Sequence, residues 1–378
     1  MSASADGAHG AHGSDGSDGA AGVALALLEG ALAIESPSGR EAAVAGYFVE
    51  RMRTLGYDRA FVDEAGNAVG VLGDGPRQVV LLGHIDTVPG VVPLRREGDR
   101  LYGRGAVDAK GPFAAFVAGV ARAGRRPGWS VVVVGAVEEE AASSKGARHA
   151  ASQWRPEACV IGEPSGWDAL TLGYKGRLLV DYRCVRPLAH SAGPERSPPE
   201  HGVLFWNALV ARAEAEAAAA DAKGVFERVS PALLSFHTPQ DGLHQTVSLT
   251  VSMRTPVGFD SADWRAFLTR AAADPELGGG GEVMFQGEEV AWRGDKNNPL
   301  VRAFLGAVRD QGGKPGFKVK SGTSDMCVVG PAWRCPILAY GPGDSKLDHT
   351  PDEHVLIPEY LRGVAVVQGA VERLTAES

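Results

Sequence analysis

The sequence predicts an α/β protein with a mainly parallel sheet flanked by helices and a smaller α+β unit inserted into it. Three aliphatic runs carry the first part of this prediction, at 78–86, 130–138 and 158–164, and alanine-rich stretches such as 113–124 separate them. Nearly continuous apolar strands that alternate with helices indicate a parallel sheet buried on both faces. From about Leu178 the pattern changes to strands of alternating polarity, which indicates the inserted unit.

The remaining elements follow from periodicity and from helix signals. Residues 38–41, Ser-Gly-Arg-Glu, have the spacing of a capping box, so a helix is expected from about 39 to 56. In the insert, strands are expected at 178–187 and 244–256, with a helix at 201–224 between them. A further buried strand is expected in 334–344, after the chain has returned to the main unit.

The length of 378 residues exceeds that of one ordinary core, so two domains are expected. Residues 1–22 have almost no large apolar side chains and are expected to form a disordered leader. The main domain is expected at 23–177 and 293–378, and the inserted domain at 178–292.

Composition argues against several classes of protein. The net charge of -8 disfavours nonspecific nucleic-acid binding, because a phosphate-binding surface usually has a basic excess. No apolar run approaches the roughly 20 residues of a membrane-spanning helix, and the leader lacks the apolar segment of a secretory signal. The four cysteines form no CxxC pair, which suits reduced thiols. We therefore expect a cytoplasmic protein that binds neither nucleic acid nor membrane.

Acidic and imidazole side chains collect at the ends of the three predicted strands. His84 and Asp86 end the first run, Glu138–Glu140 end the second, and Glu163 lies near the end of the third. Ligands bind at the carboxyl ends of strands in open α/β sheets. Each group alone has an ordinary explanation, such as a hydrogen-bonded histidine or a solvated helix start. Together they indicate a site where carboxylate and imidazole groups hold metal ions.

Two further segments complete a site for two metal ions, namely the turn that contains Asp108 and the stretch "LDHTPDEH" at 347–354. Asp108 is the best candidate for a carboxylate that bridges both ions. His84 and Asp86 lie on the same side of a strand, so Asp86 is expected to orient the ring of His84. Among the adjacent glutamates, one is expected to bind metal and another to move protons.

Nine segments occur in the order found in one known family: "SPSGRE", "LLGHIDTVP", "LYGRGAVDAKG", "VEEEAASSKGAR", "IGEPSG", "GYKGRL", "HSAGP", "SGTSDM" and "HTPDEHV". The chain after residue 22 thus resembles the M20 family of zinc aminoacylases and peptidases. The resemblance implies a zinc-peptidase-like catalytic domain that hydrolyses amide C–N bonds. It also implies two Zn²⁺ ions as cofactors, although Co²⁺ or Mn²⁺ fits the same ligands.

The resemblance also implies roles for individual residues. The implied metal ligands are His84, Asp108 (the bridge), Glu140, Glu163 and His349. The implied catalytic residues are Asp86, Glu139 as general base, and His190. The run Glu138–Glu140 allows two registers: the spacing to Gly146 favours Glu139 as base with Glu140 as ligand, and Glu138 with Glu139 is the alternative.

The inserted domain would be the dimerisation (lid) domain of a homodimer, with His190 reaching into the partner's active site. Arg254, Gly322 and Thr323 match segments that bind substrate. A cis peptide bond is implied between Asp108 and Ala109.

The wording of "GHIDTVPG" and "GEPSGWDALTLGYKGRL" most resembles one branch of the family. Its members release lysine or ornithine from the C-terminal glutamate γ-carboxyl of a small acidic amino-group carrier protein, in lysine or arginine biosynthesis. The alternative is a small-molecule deacylase, of the acetylornithine deacetylase or succinyl-diaminopimelate desuccinylase type, or a dipeptidase. An acidic carrier favours a basic rim, for which the candidates are Lys110, Lys145, Arg148, Lys175 and Arg177.

Overall fold

The computed structural model describes residues 15–376. The α-helices in this range are α1 (Asp15–Leu32), α2 (Ala42–Thr54), α3 (Lys110–Ala123), α4 (Lys145–Gln153), α5 (Pro198–Ala219), α6 (Ser261–Ala273), α7 (Pro299–Asp310), α8 (Met326–Trp333) and α9 (Ile357–Leu374). The first strands are β1 (Arg59–Val62), β2 (Ala68–Leu72), β3 (Arg77–His84), β4 (Arg95–Glu97), β5 (Arg100–Tyr102), β6 (Trp129–Ala136), β7 (Ala158–Gly162) and β8 (Gly166–Tyr174). The later strands are β9 (Gly176–Pro187), β10 (Ser230–His237), β11 (His244–Thr255), β12 (Glu282–Glu289), β13 (Trp292–Arg293), β14 (Gly316–Lys320), β15 (Ile337–Gly341) and β16 (His354–Leu356).

The main sheet has nine strands in the order β1-β2-β6-β3-β7-β15-β8-β13, with β14 beside β8. Its central pairs β6/β3, β3/β7 and β7/β15 are parallel, as is β14/β8. The pairs β1/β2, β2/β6, β15/β8 and β8/β13 are antiparallel. The sheet is therefore mixed, and the parallel arrangement predicted from the three aliphatic runs holds for its centre.

Helices cover both faces of the main sheet, as expected for strands that are apolar throughout. One core includes Phe48, Phe113 and Phe304 from α2, α3 and α7, with α1 and α9 packed beside them. The core on the other face includes Ala147 of α4 and Val329 of α8. Burial on both faces explains why β3, β6 and β7 contain so few polar side chains before their carboxyl ends.

The inserted unit has its own antiparallel sheet, in the order β10-β11-β9-β12. Helices α5 and α6 pack on it around Leu178, Phe205 and Trp264. The strands of this sheet lie between residues 176 and 289, and β13 then rejoins the main sheet. These elements form the α+β insert that the sequence predicts.

The amino-terminal expectations need correction. Residues 15–22 belong to α1, so the leader expected at 1–22 is helical in this part, and residues 1–14 lie outside the described residues. The predicted capping box is also wrong, because α2 begins only at Ala42. The Ser38 hydroxyl instead donates to Asp86 Oδ2 at 2.7 Å, and Glu41 Oε1 accepts from the backbone N–H of Glu138 at 3.2 Å. Among residues 15–376, no helix is long and apolar enough to cross a membrane.

Candidate metal centre

The carboxyl ends of three neighbouring strands form the floor of the site. β3 ends at His84, β6 ends shortly before Glu139 and Glu140, and β7 ends one residue before Glu163. Because β6, β3 and β7 are adjacent in the sheet, these side chains meet at one edge. This convergence is the one predicted from the sequence.

Asp108 and His349 join these side chains from loops. Asp108 Oδ1 lies 3.1 Å from His84 Nε2, and Asp108 Oδ2 lies 3.0 Å from His349 Nε2. His349 Nε2 is 2.8 Å from Glu140 Oε1, and His84 Nε2 is 3.9 Å from Glu163 Oε1. All five residues expected to bind metal therefore lie together.

The five residues form two groups that share Asp108. One group is His84, Asp108 and Glu163, and the other is Asp108, Glu140 and His349, with the donor atoms of each group within 4.8 Å of one another. Oxygen and imidazole nitrogen donors in this arrangement fit two divalent cations. The groups differ in solvent access, because the His84 side chain is 2% exposed and that of His349 is 50% exposed.

Charge within the cluster also suits bound cations. Burial and the charge of Asp108 raise the pKa of Glu163 to about 8. Burial raises the pKa of Glu139 well above its usual value, and the charge of Glu163 adds to this rise. Hydrogen bonds to Asp108 and Glu140 raise the pKa of His349 to about 10. Ionised carboxylates are therefore unfavourable in this buried cluster unless a positive charge lies close to them, and a divalent cation would supply that charge.

The glutamate run turns so that its members face different ways. Glu138 has a left-handed backbone, with φ 58°, and its carboxylate accepts a hydrogen bond from Ser143 Oγ at 2.6 Å. Glu139 and Glu140 line the cleft beside the cluster. Of the two registers left open by the sequence, this geometry favours Glu139 as base and Glu140 as ligand.

Asp86 contacts the glutamate run as well as His84, which the sequence did not predict. The ring Nδ1 of His84 lies 3.0 Å from the backbone oxygen of Asp86 and 3.5 Å from its carboxylate, so the main chain makes the closer contact. The carboxylate accepts hydrogen bonds from the backbone N–H groups of Glu139 and Glu140, each at 3.0 Å, and from Ser38. Asp86 therefore fixes the glutamate turn as well as lying beside His84.

Glu353 is a positioning residue that sequence reasoning missed. Its Oε1 accepts hydrogen bonds from the backbone N–H groups of Gly105, Val107 and Asp108 at 3.0–3.1 Å. Its Oε2 accepts from Arg104, and the side chain is fully buried. The loop that carries Asp108 is thus held by one carboxylate, beside the cis peptide bond expected between Asp108 and Ala109. The available signal was an acid four residues after His349 in "HTPDEH".

A cleft of about 460 Å³ opens beside the cluster. The residues expected to bind substrate, Arg254, Gly322 and Thr323, line it, and Arg254 donates a hydrogen bond to Thr323 Oγ1 at 2.9 Å. Arg177 also lines the cleft and lies directly opposite Arg254 in the β9/β11 pair. Two like charges opposite each other are unfavourable in a sheet, so this pair suits an anionic ligand.

His190 lies away from this cleft within the chain. It follows β9 in an exposed loop, where its Nδ1 accepts a hydrogen bond from the backbone N–H of Ala192 at 3.1 Å. It lines a separate surface pocket together with Arg186 and Gln245. The structure of one chain therefore does not bring His190 to the residues that it was expected to assist.

The prediction of a basic rim around the cleft is largely wrong. Lys110 and Lys175 are buried, and this burial lowers the pKa of each to about 8. Each ammonium donates hydrogen bonds to backbone carbonyls. Lys145 and Arg148 form ion pairs with acids, namely Glu138 and Glu289. Of the five candidates only Arg177 lines the cleft, whose other cations are Arg254 and Lys320.

We expect Glu353→Gln to destabilise the protein and to weaken its binding of divalent metal. The amide would place an N–H group against either the Arg104 guanidinium or the three backbone donors, which costs about 1–3 kcal/mol. Asp352→Asn is the matched control, because Asp352 is the exposed neighbour. Urea unfolding and metal content per chain measure both effects. Equal stability and metal content in the two variants would contradict the role assigned to Glu353.

The chain is similar in sequence to a known family and to named hydrolases. A sequence profile described as Peptidase family M20/M25/M40 matches residues 80–373. The chain is 46% identical over 352 residues to the LysW-lysine hydrolase of Deinococcus radiodurans. The aligned region covers 92% of this chain and 96% of the relative. It is 25% identical over 352 residues to the LysW-lysine/LysW-ornithine hydrolase of Saccharolobus islandicus, with coverage of 93% and 96%.

A solved structure shows the same fold. The M20 family metallo-carboxypeptidase Sso-CP2 from Sulfolobus solfataricus superposes with a TM-score of 0.76 at 17% identity, covering 94% of this chain and 99% of the other. The family profile spans most of the chain, and the Deinococcus relative matches nearly its full length. The chain therefore belongs to peptidase family M20/M25/M40.

Proposed function

We propose that this metal-dependent hydrolase releases lysine, or ornithine, from the C-terminal glutamate γ-carboxyl of a small amino-group carrier protein. The bond cleaved is the amide between that carboxyl and the α-amino group of the amino acid. The observation that carries the proposal is a cluster of five carboxylate and imidazole side chains beside a cleft lined by Arg177, Arg254 and Lys320. The 46% identity to a LysW-lysine hydrolase supports the carrier-bound substrate.

We assign the ligands as the two groups around Asp108 suggest. His84 and Glu163 would hold one cation, Glu140 and His349 the other, and Asp108 both, since each of its oxygens faces a different histidine. When bound, two such cations, for which we propose zinc with cobalt or manganese as alternatives, supply Lewis acidity that activates water and polarises the amide carbonyl.

Glu139 is the proposed general base. Its carboxylate lines the cleft beside the cluster, and Asp86 holds its backbone N–H. Glu139 takes a proton from water as the new C–O bond forms at the amide carbon. It then gives that proton to the α-nitrogen of lysine as the C–N bond breaks. Arg254, held by Thr323, binds the α-carboxylate of the departing amino acid and so orients the amide.

We also propose that the enzyme is a cytoplasmic homodimer in which His190 completes the partner's active site. The side chain of His190 is exposed and needs a second chain to reach a cluster of this kind. Strand β10 lies at the edge of the inserted sheet and exposes Leu234 and Phe236, which suits pairing with another copy. The four cysteines are free thiols, in keeping with a reducing compartment.

We expect the purified enzyme to release lysine from lysyl-carrier protein with a much higher kcat/KM than it releases ornithine from N-acetylornithine. The carrier-bound substrate offers carboxylates to more than one of the cleft's cations. Amino-acid analysis of the reaction mixtures measures both rates, and catalytically inactive Glu139→Gln enzyme is the control for spontaneous hydrolysis. Efficient release from N-acetylornithine without release from the carrier would instead establish a small-molecule deacylase.

We expect Glu139→Gln and His190→Ala chains to be inactive as separate homodimers and to regain activity when they form mixed dimers. A mixed dimer has one site with an intact Glu139 from one chain and an intact His190 from the other. Co-expression with two different affinity tags isolates the mixed dimer, and metal content confirms that both chains bind cations. A mixed dimer as inactive as its parents would show that His190 does not act across the dimer.

A further inference from the structure

Lys320 is a cation in the cleft that the proposed mechanism leaves without a role. It ends β14 in the main sheet, beside Tyr174 of β8, and its ammonium lies 5.8 Å from the centre of the Tyr174 ring. Among residues 15–376, no carboxylate oxygen lies close enough to that ammonium, within 4.0 Å, to form an ion pair with it. By contrast, Lys318 on the same strand donates to the backbone oxygen of Ser165 at 2.7 Å.

One polar atom near Lys320 is also left without a hydrogen-bond partner among the described residues. The hydroxyl of Tyr174 is buried and has no hydrogen-bond partner among the described residues, although Tyr174 lines the cleft. The side chain of Tyr174 is 1% exposed, so this donor is withdrawn from bulk water. A buried donor without a partner is costly, and a ligand that brings an acceptor to this wall would satisfy it.

Lys320 and Arg254 reach the cleft from different sheets. Lys320 ends β14, which pairs with β8 in the main sheet. Arg254 belongs to β11, which pairs with β9 in the inserted sheet. Both residues line the cleft. The cleft therefore has one cationic wall from the main sheet and another from the inserted sheet.

The substrate of the proposed function has a matching distribution of charge. Its scissile amide joins the glutamate γ-carboxyl to the α-amino group of lysine. The α-carboxylate of lysine lies on the amine side of this bond, and the α-carboxylate of glutamate lies on the acyl side. The second carboxylate is free only because the glutamate ends its chain. Arg254 takes the first carboxylate, which leaves the second without a partner.

We propose that Lys320 binds the free α-carboxylate of the carrier's terminal glutamate, with the Tyr174 hydroxyl as a second donor. This inference rests on the proposed function. Lys320 then selects γ-linked amino acids on a chain end over the same linkage inside a chain, because an internal glutamate has an amide at this position. A charged hydrogen bond to a carboxylate gives this selection its strength.

The test compares two synthetic peptides that end in glutamate and carry lysine on its γ-carboxyl. One has a free terminal α-carboxylate and the other has an α-carboxamide. Wild-type enzyme should prefer the free carboxylate by about 10- to 100-fold in kcat/KM. Lys320→Met should lose this preference by reacting more slowly with the free acid alone, and Lys320→Arg should keep most of it. Lys318→Met is the matched control and should behave as wild type.

Several outcomes would overturn the inference. If Lys320→Met slows both peptides equally, Lys320 only offsets the charge of the metal-binding acids. If the wild type does not distinguish the peptides, the terminal carboxylate is not recognised. If Lys320→Met fails to fold, the Lys320→Arg enzyme and the two peptides still test the preference. Wild-type enzyme that hydrolyses N-acetylornithine and neither peptide would reject the proposed function itself, and the inference with it.

Discussion

The arrangement of the site depends on where one carboxylate is held. Asp108 places each of its oxygens about 3 Å from a different histidine, so it connects the buried His84 side of the cluster to the solvent-exposed His349 side. Asp108 lies in a loop and no strand fixes it. Glu353 holds this loop in place by accepting hydrogen bonds from three of its backbone N–H groups. A carboxylate that acts on the main chain thus determines whether two groups of ligands can share one residue.

Negative charge is concentrated at the metal-binding cluster and positive charge at the walls of the cleft. The carboxylates at the end of the sheet attract cations, whereas Arg177, Arg254 and Lys320 suit an anionic substrate. This separation resolves the difficulty of a chain with a net charge of -8 that is proposed to act on an acidic carrier. Local fields inside a cleft guide a substrate more than net charge does. The basic residues involved also differ from most of those that the sequence suggested.

The sequence correctly predicted clustered residues where polar side chains directly follow a predicted buried strand. Polar residues at the ends of aliphatic runs located His84, Glu140 and Glu163, because a buried parallel strand tolerates such groups only at its carboxyl end. The strands of the α+β insert were predicted from a different signal, the alternating polarity of their side chains. The turn that contains Asp108 was also identified from its residues, whereas the role of His349 came only from the order of the family motifs.

Long-range contacts of polar side chains were not predictable in the same way. Residues 38–41 fit a capping box, yet Ser38 bonds to Asp86, 48 positions away. Glu353 bonds to a backbone N–H group 245 positions away, and nothing in its neighbours shows this. The long side chains of Lys110 and Lys175 turn inward to carbonyl oxygens instead of reaching the rim. Sequence identifies such residues, whereas the fold determines the direction in which they point.

The central claim is that two cations share Asp108. A crystal structure of the purified enzyme, with anomalous diffraction measured at the absorption edge of its metal, tests this claim most directly. We expect two metal peaks per chain, both in contact with Asp108, one also bound by His84 and Glu163 and the other by Glu140 and His349. A single peak, or two peaks that do not share Asp108, would contradict the account.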